Sequence, residues 1–126
     1  MHLAPAETAI MEVLWRESPR SPEELIAEVG PAQGWAEGTV RTLITRLLRK
    51  KAVAGYRQDG AYFYRPLISR SEYVRSASQG LLDRLFGGEV APFVANLAEH
   101  RALSAKDVET LKQVIADIED KGEAGQ

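Results

Sequence analysis

The stretch of residues 38–65 constrains the fold most, because the spacing of its apolar side chains changes partway along. In its first half apolar residues recur at helical spacing, at Val40, Leu43, Ile44, Leu47 and Leu48. Its second half contains two short β-prone runs, 52–57 and 61–65, separated by Gln58-Asp59-Gly60. Asp-Gly between such runs is typical of a tight hairpin turn, since glycine tolerates positive φ. The stretch therefore predicts a helix followed by a β-hairpin.

Two further helices are expected before this stretch. Ile10, Val13 and Leu14 lie at helical spacing and predict a helix from about residue 5 to residue 16. A second helix should start at Ser21-Pro22-Glu23-Glu24, where serine is a good N-cap, proline suits the first turn and the last glutamate completes a capping box. Gly30-Pro31 is expected to stop it. Three helices and then a hairpin is the order of a winged helix-turn-helix domain.

The remaining sequence predicts helices only. Ser69 or Ser71 can cap the first of these helices, Gly87-Gly88 ends it, a short helix covers 92–99, and Ser104 caps the last one. We therefore expect a mainly α protein with a winged-helix domain at 1–68, a helical module at 69–121 and a flexible polar tail at 122–126. These helices carry more apolar surface than they can bury alone, so the module is expected to pair with a second copy. The expected dimer contacts are Tyr73, Leu81, Leu82, Leu85, Phe86, Phe93, Leu97, Leu111, Val114, Ile115 and Ile118.

Positive charge is concentrated in residues 38–65, although the whole chain has a formal net charge of −2. Seven Lys or Arg residues face only Asp59 there, and on a helical wheel the polar face of the helix interleaves arginine with threonine. Arginine can fork to guanine, and a threonine methyl can meet the thymine methyl. The pattern therefore predicts duplex DNA as the partner. The expected base contacts are Arg41, Thr42, Thr45 and Arg46, and the expected phosphate contacts are Thr39, Arg49, Lys50, Arg57, Tyr62 and Tyr64.

The same residues also allow interpretations in which they do not bind DNA. A basic helix face can simply be solvated, although solvated helices usually mix both signs of charge. In the second strand Phe63 is expected to be core, with Tyr62 and Tyr64 on the opposite face, where cross-strand packing is as consistent with the sequence as phosphate binding. Trp15 and Trp35 are expected to be structural.

Several classes of function find no support in the composition. The chain has no cysteine, and its two histidines, His2 and His100, are far apart, so neither a metal site nor a cofactor is expected. No set of nucleophile, base and acid suggests an enzyme. No apolar run approaches the roughly 18 residues of a membrane span, and no signal pattern opens the chain, so a cytoplasmic protein is expected.

The helix sequence Gly38-Thr-Val-Arg-Thr-Leu-Ile-Thr-Arg-Leu-Leu-Arg-Lys-Lys51, followed by Tyr56 and Ala61-Tyr-Phe-Tyr64, resembles the penicillinase-repressor (BlaI/MecI/CopY) family of bacterial regulators. The opening Ala6-Glu7 to Leu14-Trp15 and the later Leu85-Phe86-Gly87-Gly88 are also similar to that family. The resemblance implies a homodimer that represses transcription. Its winged helices would bind a palindromic operator in double-stranded DNA, and its C-terminal helices would form the dimer.

The resemblance also bears on induction. Family members tied to β-lactam antibiotic resistance are released from DNA when a membrane sensor system triggers cleavage after an asparagine. Asn96-Leu97 falls at that place, with leucine where the family has an aromatic residue, so a regulatory protease is an implied partner. The copper-responsive branch uses a cysteine cluster that this chain lacks. Two alternatives stay open: a winged-helix module that docks an acidic protein, and a ligand-sensing regulator with a pocket at the dimer interface.

Overall fold

A computed structural model of the chain describes residues 1–124. The elements are α1 (Pro5–Arg16), α2 (Pro22–Gln33), α3 (Glu37–Arg49), β1 (Val53–Gln58), β2 (Ala61–Pro66), α4 (Arg70–Phe86), α5 (Val90–Glu99) and α6 (Ala105–Ala124). Strands β1 and β2 pair antiparallel in a two-stranded sheet. The predicted class, a mainly α protein with a winged helix-turn-helix, is confirmed.

The first compact unit spans Met1–Gln79 and encloses a continuous apolar core. Helices α1, α2 and α3 supply most of it, with Ile10, Leu25, Val40 and Leu47 all inaccessible to solvent. The Trp15 indole N–H donates to the carbonyl of Ile68 at 2.8 Å, which ties α1 to the segment that follows the hairpin. Trp15 is therefore structural, as predicted.

Helix α2 is longer than the sequence indicated. Gly30-Pro31 was expected to stop it, but the helix continues to Gln33 with Pro31 inside. The stop is Gly34, whose φ of 74° places it in the left-handed region and whose N–H donates to the carbonyl of Gly30. The expected start is confirmed: Ser21 accepts from the backbone N–H of Glu24, whose carboxylate accepts from the Ser21 N–H in return.

The hairpin turn has the predicted chemistry. Asp59 and Gly60 have φ values of 52° and 81°, the positive values that tight hairpin turns require.

The assignment of Phe63 to the core is wrong. Phe63 lies on the outer face and contacts Tyr56, with ring centroids 6.2 Å apart, while Tyr64 packs against the core. Alternation along a strand fixes which residues share a face, but it does not say which face the helices will cover.

The second compact unit begins at Gly80, within α4, whereas the sequence placed the boundary at 68/69. The first turns of α4 belong to the first unit because Tyr73 packs there, with its ring 5.8 Å from that of Trp15 and its hydroxyl 3.5 Å from the carbonyl oxygen of Leu3. Tyr73 is therefore half-buried against the core of the first unit, and its part in a dimer interface stays a prediction. Ser69 is the cap of α4, since its hydroxyl accepts from the Glu72 N–H.

In the second unit the rings of Phe86 and Phe93 meet edge to face, with centroids 5.5 Å apart. Ser104 and Asp107 form the expected cap of α6, each side chain accepting from the other's backbone N–H. The flexible tail predicted at 122–126 begins too early in the chain, because α6 continues to Ala124. Residues 125 and 126 lie outside the described part of the chain.

Candidate nucleic-acid interface

Helix α3 separates its two faces as the sequence predicted. Val40, Leu43, Ile44 and Leu47 are buried in the core. The polar face is exposed and consists of Thr39, Arg41, Thr42, Thr45, Arg46 and Arg49. These six residues are accessible to a partner from a single side of one rigid helix. Their contacts with DNA stay a prediction.

Local contacts orient part of this face. The Thr45 hydroxyl donates to the Arg41 carbonyl at 3.0 Å, which leaves the methyl group of Thr45 as its free contact. The Arg41 guanidinium donates to Glu37 Oε1 at 3.0 and 3.1 Å and lies 3.9 Å from Glu23. Exposed pairs of this kind are worth about 0–1 kcal/mol, so a guanine or a phosphate could displace it at little cost. Arg46 lines a shallow cleft of about 520 Å³ together with Thr39 and Thr42.

One face of the hairpin continues this surface. Arg57 pairs directly opposite Tyr62 near the turn, and the Tyr62 and Tyr64 rings meet edge to face at 5.2 Å. The Tyr62 ring lies over Gly55, where a Cβ atom would come within 2.7 Å of Tyr62 Cζ. The absence of a Cβ atom at Gly55 therefore leaves room for the Tyr62 ring in this rotamer.

Tyr64 is only half-buried and borders α3. A cleft of about 200 Å³ is lined by Pro22, Arg41, Ile44, Thr45 and Tyr64. Burial raises the pKa of the Tyr64 phenol, and nearby Tyr62 raises it further, while Arg41 acts in the opposite direction. Tyr64 is therefore a neutral hydrogen-bonding group next to two of the predicted base contacts.

Lys50 was predicted to contact a phosphate, but its side chain is directed inward to other residues of the protein. Its ammonium group donates to Glu7 Oε1 at 2.6 Å and to the His2 carbonyl at 2.9 Å. Glu7 is 1% exposed, so the lysine is needed to compensate a buried carboxylate. Sequence reasoning missed Glu7. The available signal was its position three and four residues before Ile10 and Met11, on the apolar face of α1.

A sequence model of the family described as "Penicillinase repressor" matches residues 3–117. The chain belongs to this family. It is a DNA-binding transcriptional repressor and not an enzyme.

Sequences of relatives align with most of the chain, and a solved structure of the family superposes on more than half of it. The Penicillinase repressor of Staphylococcus aureus is 29% identical over 121 residues, which is 96% of each chain. The Methicillin resistance regulatory protein MecI of Mammaliicoccus sciuri is 26% identical over 113 residues, 90% of this chain and 92% of that one. The solution structure of Bacillus licheniformis BlaI, a monomeric form in complex with the blaP half-operator, is 29% identical. It superposes with a TM-score of 0.53 and covers 58% of this chain and 89% of its own.

The residues expected in the family's dimer module lie mostly on accessible surface. Leu85, Val114, Ile115 and Ile118 are exposed, while Leu81, Leu82, Phe86, Phe93, Leu97 and Leu111 are half-buried. Asn96 is exposed and lies inside α5, where its carbonyl accepts from the His100 N–H. Within residues 1–124 no group of His, Asp or Glu side chains is placed to hold a metal ion, and no helix has the length and apolarity to cross a bilayer.

Proposed function

We propose that this repressor acts as a homodimer on a palindromic operator, with α3 of each subunit in the major groove. The observation that carries the proposal is the exposed Arg/Thr face of α3, which is continuous with Arg57 and Tyr62 of the hairpin. A helix of this kind fits the major groove, and an adjoining hairpin can reach the flanking backbone. The half-operator complex of the Bacillus licheniformis relative supports the same mode of binding.

Base contacts are assigned to Arg41, Thr42, Thr45 and Arg46. All four are exposed, and the two arginines each offer a guanidinium that can bond a guanine in bidentate fashion. The free methyl of Thr45 suits the thymine methyl group. Phosphate contacts are assigned to Thr39, Arg49, Arg57, Tyr62 and Tyr64.

The dimer is assigned to the second compact unit. Through Gly122 no side chain described in that unit is fully buried, although it contains six leucines, two phenylalanines and several β-branched residues. Leu85 and Ile118 are 64% and 63% exposed. Contiguous apolar surface of this extent is typical of a subunit interface. A two-fold pair would place two α3 helices about one helical turn of DNA apart, ~34–36 Å, or a multiple of that distance.

The deciding experiment measures affinity for duplex DNA against salt concentration. The operator is first selected from a library of random duplexes, and binding is then compared with a scrambled duplex of equal length. We expect log K to fall linearly with log salt with a slope of about −0.9 per phosphate contact, and the selected sequence to be palindromic. Absence of duplex binding at low salt, or selection of a single asymmetric half-site, would contradict the proposal.

Substitution of Arg46 separates base reading from backbone contact. Arg46→Ala should weaken binding to the selected operator by about 1–3 kcal/mol and leave the scrambled duplex almost unaffected. Arg49→Ala is the matched variant on the same helix face, and it should weaken both duplexes equally. Equal losses for Arg46→Ala on both duplexes would make Arg46 a phosphate contact.

Release from DNA is proposed to follow cleavage of the Asn96–Leu97 bond by a regulatory protease. The Asn96 side chain is exposed, and a cut there would divide α5, separate residues 90–96 from α6 and so divide the dimer module. The bond lies inside a helix, which must unwind before a protease can bind it as an extended strand. N-terminal sequencing of the fragments that appear when a host carrying the gene is exposed to a β-lactam tests the assignment. A fragment beginning at Leu97 is expected, and intact repressor under full induction would exclude it.

A further inference from the structure

We propose that Lys51 contacts the DNA backbone at the junction between α3 and the hairpin, and that its side chain is kept there at a cost to the stability of the fold. This inference rests on the proposed mode of DNA binding. Lys51 was part of the basic stretch in the sequence, but neither the predicted base contacts nor the predicted phosphate contacts included it.

The first observation is the backbone conformation of Lys51. Its φ is 62°, in the left-handed region that side chains with a Cβ disfavour and glycine adopts freely. The Lys51 N–H donates to the Leu48 carbonyl at 3.1 Å and the Ala52 N–H to the Leu47 carbonyl at 3.0 Å. These are the two bonds of a Schellman motif, whose left-handed position is usually glycine. Glycine would therefore end α3 more favourably than the lysine does.

The second observation is the difference between Lys51 and its neighbour. Lys50 is directed inward to Glu7 and the His2 carbonyl. Lys51 is exposed, and its ammonium group makes no hydrogen bond or ion pair within residues 1–124. It follows the last turn of the helix that carries the predicted base contacts, and one residue, Ala52, separates it from β1. A cation at this point is placed for the phosphates between the major groove and the flanking backbone.

The positive charge of Lys51 could also act only on the end of the helix, and that role has to be distinguished from DNA binding. Any cation at a helix C-terminus interacts favourably with the terminal carbonyl groups. The chain offers a matched control, because Arg101 ends α5 in the same way. Its φ is 56°, its N–H donates to the Ala98 carbonyl at 3.1 Å, and the Ala102 N–H donates to the Leu97 carbonyl at 2.8 Å. Lys51 and Arg101 share the strain and the charge, but Lys51 belongs to the unit that carries the proposed DNA surface and Arg101 belongs to the other unit.

The experiment compares Lys51→Gly, Lys51→Arg and Arg101→Gly in the full-length chain. Both glycine variants should raise Tm by about 2–5 °C, since each removes a left-handed residue that carries a Cβ atom. Tryptophan fluorescence follows the unit that contains Lys51, because Trp15 and Trp35 both lie there, and far-UV circular dichroism follows the helices of both units, so it also reports the unit that contains Arg101. Sedimentation confirms that the assembly state of each variant is unchanged.

The effect of Lys51→Gly on DNA binding should be opposite to its effect on thermal stability. Lys51→Gly should bind both operator and scrambled duplex about 3–10-fold more weakly at low salt, with a salt slope about 0.9 less steep, despite its higher Tm. Lys51→Arg should keep the wild-type slope, and Arg101→Gly should keep both affinity and slope. Wild-type affinity and slope for Lys51→Gly would overturn the backbone contact, and a lowered Tm would overturn the claim of strain. If the wild-type protein itself fails to bind duplex DNA, the mode of DNA binding fails instead.

Discussion

The ammonium group of Lys50 lies 2.6 Å from Oε1 of Glu7, across 43 residues of sequence. The contact joins the first turn of α1 to the C-terminal end of α3. The same Glu7 oxygen accepts from the Ala4 N–H at 2.8 Å, while Oε2 is buried with no hydrogen-bond partner among residues 1–124. A buried carboxylate with one satisfied oxygen depends strongly on its single cation. The end of the helix that is proposed to face DNA is thus held by a charge inside the protein.

Substitutions of Lys50 and of Glu7 should both destabilise the first unit, but by different amounts. Lys50→Met strands a buried carboxylate and should cost about 2–3 kcal/mol, below the ~3–5 kcal/mol of a fully buried pair because the lysine side chain is 36% exposed. Glu7→Gln keeps an acceptor for the Ala4 N–H and lets Lys50 reach solvent, so it should cost about 1 kcal/mol. Urea unfolding followed by tryptophan fluorescence measures both. A larger loss for Glu7→Gln would show that Lys50 does not compensate the carboxylate.

Stability of the first unit should depend on pH through Glu7. Burial raises the pKa of this carboxyl, but hydrogen bonds from Lys50 and Ala4 and the charges of Lys50 and Arg46 outweigh it, so the pKa is lowered below its ordinary value of 4.5. The folded state therefore favours the ionised form. Its stabilising contribution is complete above pH 4.5 and is lost as the pH falls through the lowered pKa of the folded protein.

Comparison with Glu7→Gln isolates this effect from other carboxyl groups. The difference in unfolding free energy between wild type and Glu7→Gln should be constant near neutral pH and should narrow progressively below pH 4.5. Urea unfolding at a series of pH values, read by tryptophan fluorescence, provides the measurement. A difference that stays constant down to pH 3 would mean that Glu7 titrates alike in the folded and unfolded states.

The Glu7–Lys50 pair also shows where sequence reasoning reached its limit. The amphipathic spacing of α3 was enough to divide its apolar face from its Arg/Thr face, since both follow from helical geometry alone. Lys50 sits at the end of that helix, and whether it turns inward depends on a carboxylate 43 residues earlier. Periodicity carries no information on such a pairing. The misassignment of Phe63 and Tyr64 has the same origin, because the covered face of a hairpin is decided by the helices packed against it.

The glycine beneath Tyr62 should matter for DNA binding more than for folding. An alanine at Gly55 would meet the Tyr62 ring and drive this exposed side chain to another rotamer. Gly55→Ala should therefore cost less than about 1 kcal/mol in stability and weaken duplex binding as much as Tyr62→Ala does. In the double variant the two losses should not add. Full additivity would mean that Gly55 acts independently of the Tyr62 ring.

The exposed apolar side chains of α6 should control assembly. Ile118→Asp introduces a charge into a surface that is proposed to be buried between two copies, so sedimentation should detect monomers where the wild type is dimeric. Operator affinity should fall by at least about 100-fold, since two linked half-site contacts become one. Glu119→Ala at the neighbouring exposed position is the control and should remain dimeric. Unfolding read by tryptophan fluorescence should be unchanged, because Trp15 and Trp35 belong to the other unit. Dimeric Ile118→Asp would place the interface elsewhere.

The base of the hairpin is joined to the loop before α2 by two backbone hydrogen bonds, in which the Arg20 N–H donates to Tyr64 O at 3.1 Å and the Tyr64 N–H to Arg20 O at 2.8 Å. Main-chain bonds of this kind persist whatever side chains the strand carries. The side chains of Arg57 and Tyr62, on either side of the turn, can therefore be exchanged during evolution without loosening the hairpin from the domain, while Asp59 and Gly60 keep the turn. Members of a lineage could retarget their flanking contacts to new promoters by changing the tip alone, while the architecture that presents it is inherited intact.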